Sequence, residues 1–161
     1  MTDECFNELT IEDLKENEVQ KLSKLISSDS LLEKLLPVQD GADAFEYWGT
    51  NEISGGDVDD ETDDYLRCQF NSSKYTPTNA IIEISKLYPE AIFKLIYEVG
   101  ENIGALTCQN GKAASIEYDT ASEVEQLMNN DESLDEEDAQ NELRDKLEDE
   151  IDKEWKNTHA K

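Results

Sequence analysis

Histidine occurs once in this 161-residue sequence, at His159 near its C-terminal end. One imidazole in that place gives no Ser-His or Cys-His pair for nucleophilic catalysis. It gives no zinc-ligand spacing either. Cysteine is nearly as scarce: Cys5, Cys68 and Cys108 form no C-x-x-C pair, are odd in number and lie inside apolar runs. They read as small hydrophobes of a reducing compartment. No apolar run approaches the roughly 18 residues of a membrane helix, and the acidic opening "MTDECFNELTIEDL" has no signal-peptide core. A soluble, cytoplasmic chain with no membrane association is expected.

Positive charge is the scarcest property. Twelve Lys and two Arg stand against 40 Asp and Glu, for a formal charge of -26 at pH 7. Such a field repels nucleic acid and anionic membranes and draws in basic protein surfaces. Direct nucleic-acid binding is therefore not expected, and a protein partner with a basic surface is. The bases are mostly Lys, which a salt-adapted surface sheds, so halophily is not the reading adopted. With 37% apolar residues in periodic segments, disorder does not cover the chain.

Cofactor chemistry finds little to use. "DVDDETDDYLRC" begins like an EF-hand loop, but Thr62 stands where Gly is needed and Cys68 where a bidentate Glu is needed. "SGG" and "GENIG" lead from no strand into a helix with a suitably spaced Lys, so they make no phosphate cradle. No cofactor, no metal and no catalytic residue are expected, and the chain reads as a non-enzyme.

Periodicity supplies the elements. "ECFNELTI" alternates as a strand with Cys5, Asn7, Leu9 and Ile11 on one side. "NEVQKLSKLIS" places Val19, Leu22, Leu25 and Ile26 on one helical face, with Asn17 as N-cap. "AFEYWGTNEIS" suggests a strand or its approach, and "YLRCQFN" a further strand, so the acidic run between them is expected in a hairpin connection. Pro77 opens a helix with Ile81, Ile84 and Leu87 inward, which Pro89 ends. "AIFKLIYEVG" then reads as a strand, and the two strands about Asn110-Gly111 as a hairpin.

The order β-α-β-β-α-β-β-β predicts an α+β, ferredoxin-like antiparallel sheet with two helices on one face. "ECFNELTI", the "YWGT" of Tyr47 to Thr50, "ISKLYPEAIFKLIYEVGENIG" of residues 84 to 104 and the "NG" turn together make the chain similar to the Api-type family. These are small phage- and plasmid-encoded proteins with a ferredoxin-like domain. The resemblance spans about residues 4 to 118 and implies that fold and a mobile-element origin in a bacterial host. Where the family has a Trp and a double Pro before the second helix, this chain has "NSSKYTPTN". It implies no catalytic residues.

Residues 1–118 are thus expected to form the ferredoxin-like domain and 119–161 an acidic helical extension. From Asp119 to Glu154 there are sixteen acids and three bases. One helix is capped near Thr120, with Val124, Leu127 and Met128 apolar. A second is opened by a Ser133/Glu136 capping box. In it Ala139, Leu143, Leu147, Ile151 and Trp155 recur every fourth residue, a narrow apolar seam on an anionic helix. Along this segment a carboxylate recurs about every 3.4 Å, near the phosphate spacing of a DNA strand.

Two acidic arrays are the candidate partner-binding residues. The first is Asp57, Asp59, Asp60, Glu61, Asp63 and Asp64. The second is Asp135, Glu136, Glu137, Asp138, Glu142, Asp145, Glu148, Asp149 and Asp152, with Trp155, and also Trp48, as possible aromatic anchors. The function expected is binding and inhibition of a host nucleic-acid-binding protein, such as a restriction, CRISPR or gene-expression factor, by nucleic-acid mimicry. The alternatives are an adaptor or decoy docking on transcription machinery through an apolar surface, and a self-associating structural protein. A monomer or small homo-oligomer is expected.

Overall fold

A computed structural model describes residues 4–37, 48, 50, 53–73 and 75–159. Strand β1 (Glu4–Glu12) leads into helices α1 (Glu16–Ser27) and α2 (Leu31–Leu35). The hairpin of β2 (Ile53–Glu61) and β3 (Leu66–Ser73) follows, then α3 (Thr78–Leu87). Strands β4 (Ile92–Val99), β5 (Asn102–Gln109) and β6 (Lys112–Asp119) form a meander, and α4 (Thr120–Asn130) and α5 (Glu136–His159) close the chain. All strand pairs are antiparallel, in the order β2-β3-β1-β4-β5-β6. The fold is mixed α+β.

Alternation sorts side chains to two faces of this sheet, because successive residues of a strand point to opposite sides. On the first face Leu9, Ile11, Leu66, Cys68, Phe70, Phe93, Leu95 and Leu106 make one core with Val19, Leu22 and Ile26 of α1 and Ile81 and Ile84 of α3. The second face carries another core, in which Ile103, Ala105 and Ala114 meet Val124 of α4 and Ala139, Leu143, Leu147 and Ile151 of α5. The four-residue seam is therefore a packing seam. Helices cover both faces, and the acidic extension forms the layer opposite α1 and α3.

Several local expectations are corrected. The hairpin connection is confined to Thr62–Tyr65, while Asp57 to Glu61 belong to β2 itself. Among the described residues β2 is hydrogen-bonded on one side only and none of its residues is buried, so it needs no apolar alternation and its carboxylates fit a ladder. Helix α1 starts at Glu16, with Lys15 at the cap position. Asn17 lies in its first turn, and Glu18 accepts from the Lys15 N–H at 2.9 Å. Leu87 is 51% exposed, and Ala80, Ser85 and Tyr88 line the buried side of α3 with Ile81 and Ile84. At α5 the cap is Asp135, which accepts from the Asp138 N–H at 2.8 Å, whereas Ser133 donates to Asp131 at 2.6 Å. Of "AFEYWGTNEIS", residues 44–47, 49 and 51–52 lie outside the described residues.

The Asn110-Gly111 hairpin is as expected: both residues have positive φ, 49° and 83°, as a two-residue type I′ turn requires. Asp119 caps α4 through the Ser122 N–H at 3.0 Å, next to the expected Thr120.

Candidate functional site

The first acidic array lies along the outermost strand. Asp57 faces Gln69, Asp60 faces Arg67 and Glu61 faces Leu66, with register shifts between Ser54 and Asp57 and between Val58 and Asp60. All six carboxylates of residues 57 to 64 are exposed, and none forms a salt bridge among the described residues. Position dictates part of this composition. A free edge offers unpaired N–H and C=O groups to any passing strand, and bulges and like charge are the usual means of blunting it. The strand is fixed to the turn that follows α1 at Gly56, whose N–H donates to Asp29 Oδ1 at 2.7 Å. A Cβ there would sit 2.0 Å from the Ile26 carbonyl oxygen, so only glycine lets the backbones approach this closely.

The second array lies along α5. Asp135, Glu136, Glu137 and Asp138 crowd its N-terminus, where the helix dipole favours negative charge. Glu142, Asp145, Glu148 and Asp149 are exposed, while Asp152 is half-buried and turns to Lys94, 3.9 Å away. Trp155 is half-buried and packs against the second core. Trp48 is buried in the first core with its indole N–H on the Leu36 carbonyl at 2.8 Å.

The two arrays do not merge. Strand β2 lies four strand spacings from β5, about 19 Å, and α5 packs on β5 and β6. Between them runs a polar row set by register: Arg67 on β3, Thr10 on β1, Lys94 on β4 and Thr107 on β5. With α5 above, these residues line a cleft of about 250 Å³, closed by Glu148, Ile151 and Asp152.

Both arginines of the chain reach one carboxylate here, Arg67 and Arg144 each pairing with Glu8, which is 11% exposed. Lys94 pairs with Glu12 at 3.3 Å. The cations of the cleft are thus already matched by carboxylates of the chain. This ionic strip fastens α5 to the sheet. The sequence reading above missed it; the signal available was that Arg occurs only at these two positions. Among the described residues the buried Thr107 hydroxyl has no hydrogen-bond partner.

Chemically the arrangement offers charge and shape. Burial pushes the Cys68 and Cys108 thiols up to about 12, so both are protonated near neutral pH, and a thiol rather than a thiolate is a poor nucleophile. Burial, reinforced by the neighbouring Glu117 carboxylate, likewise raises the Tyr97 phenol. Among the described residues no three Asp, Glu, His or Cys side chains converge on a point where a metal ion could sit, and no helix is long and apolar enough to cross a membrane. No protein-family model, curated protein or solved structure matches the chain.

Proposed function

We propose that this chain is a non-catalytic acidic binding protein, encoded by a phage or other mobile element, that occupies the nucleic-acid groove of a basic host protein and inhibits it in the bacterial cytoplasm. The observation that carries the reading is the first acidic array. Six carboxylates stand exposed along one strand and its turn, and none of them forms a salt bridge among the described residues, the facing Arg67 being paired with Glu8. Such charge destabilises the free protein by self-repulsion and is relieved when a cationic surface docks.

The mobile-element part rests on the Api-type resemblance. The order β2-β3-β1-β4, with helices following β1 and β3, agrees with the ferredoxin-like plan that the resemblance implies. Residues 1–118 then serve as the scaffold and 119–161 as its acidic extension.

The test is retention of host proteins from bacterial lysate on the intact protein and on a variant with Asp57, Asp59, Asp60, Glu61, Asp63 and Asp64 changed to Asn or Gln. A nucleic-acid-binding protein held by the intact form alone, lost at high salt and released by competing duplex DNA, is the expected result. Equal retention on both forms at both salts sinks mimicry, because charge-driven occupation of a groove weakens steeply with ionic strength.

A further inference from the structure

A groove of about 690 Å³ opens on the second face, away from the acidic strand. It lies between the β4–β5 turn, α4 and the first turn of α5, and the Thr120 N–H on the Glu101 carbonyl at 2.9 Å ties α4 to the turn. Ala121 and Met128, with the edge of the buried Val124, give it an apolar side. Glu98 and Glu101 from the end of β4 and its turn, Glu125 from α4 and Glu136 from α5 stand around it, and among the described residues no lysine or arginine lines it. All four carboxylates are exposed, and none is in a salt bridge among the described residues. In the ionic cleft, by contrast, every cation has its carboxylate.

Folding has therefore gathered like charges around an apolar groove without supplying a counter-charge. The carboxylates do not converge on a metal-sized point, so cationic groups spread along a ligand suit them better than one ion. Met128 adapts its shape to whatever side chain it meets. We infer that this groove seats a basic amphipathic peptide segment of the partner, an apolar side chain against Ala121 and Met128 with lysines or arginines on the four glutamates. The inference rests on the reading of the chain as a binder of basic proteins, and it moves the specific contact from β2 to the groove.

The test uses the full-length protein and two labelled nonapeptides of equal charge, one of five lysines and four leucines, the other of five lysines and four serines, read by fluorescence anisotropy. The leucine peptide should bind about tenfold more tightly. The triple variant E98Q/E125Q/E136Q should lose about tenfold of that affinity, while D57N/D59N/D60N, with the same change in net charge, should lose less than about threefold. Met128→Ser should narrow the gap between the two peptides.

Thermal melts confirm that each variant is folded, since every charge replaced is exposed. Equal weakening by both triple variants, or equal binding of both peptides, overturns the groove. Loss confined to the β2 variant overturns the groove and keeps the acidic strand as the binding surface. No binding of either peptide at low salt removes both readings.

Discussion

Asn7 is fully buried on β1 and spends its side chain on one network. Its amide N–H donates to Ser72 Oγ at 2.9 Å and its oxygen accepts from Thr76 Oγ1 at 2.6 Å, joining β1, β3 and the approach to α3. Asn7→Ala leaves the Thr76 hydroxyl without its acceptor, while Ser72 still donates to the Tyr75 carbonyl at 2.6 Å, and should cost about 1–3 kcal/mol in denaturant unfolding. Unchanged stability would mean that the network is dispensable. Thr107 is the opposite case. Thr107→Val removes a buried hydroxyl that has no partner among the described residues, so the same measurement should show a gain of about 1 kcal/mol. A loss would show that the hydroxyl is bonded in solution.

The buried thiols make a prediction in pH. Folding raises Cys68 and Cys108 from 9.0 to about 12 and so favours the protonated form. Their contribution to stability is complete below pH 9 and is lost as the pH rises towards 12. Unfolding midpoints measured between pH 8 and 11 should fall above pH 9, by up to about 1.4 kcal/mol per pH unit for each thiol. The double Cys68→Ala/Cys108→Ala variant should flatten that slope. A thiol reagent should label neither site at pH 8 until the protein is unfolded.

At the scale of elements, α5 shows how much periodicity reveals and where it stops. Ala139, Leu143, Leu147 and Ile151 recur every fourth residue, and all four are buried. What they pack against was not legible, because a seam specifies a stripe and no partner. The sheet decides it: Ile103, Ala105 and Ala114 present a second apolar face that α1 and α3 leave uncovered. Leu147→Ala should therefore cost about 2–5 kcal/mol, as for any core leucine. A loss near zero would mean that α5 is a detachable tail. Glu8→Gln should weaken the same docking by about 1–2 kcal/mol, since it leaves two arginines without their shared carboxylate.

Strand β2 is the complementary case, where pattern reading placed the acidic residues in a connection. Alternation identifies a strand only when one face is buried, and an edge strand with no buried residue gives no such signal. The cap of α5 failed for another reason. Ser133 and Asp135 are both good N-caps in sequence, and the Asp131–Ser133 bond settles which of them begins the helix.

For the whole molecule, charge is the dominant fact. At -26 the folded state repels itself, and salt shortens that repulsion from about 30 Å at 0.01 M to about 3 Å at 1 M. Raising the salt over this range should stabilise the protein by about 1 kcal/mol or more, a rise in Tm of about 3 °C for a chain of this length. A flat or falling Tm would show that the carboxylates are neutralised within the fold.

Composition and periodicity by themselves determined the α+β class, the strands β1, β3, β4, β5 and β6, the seam of α5 and a net charge of -26, because these depend on local spacing and total charge. Only the tertiary structure decided that helices cover both faces, that both arginines meet on Glu8, that two acidic arrays stand apart, and that four glutamates surround one apolar groove. Those relations join residues far apart in the chain, through sheet order and register that local spacing does not encode.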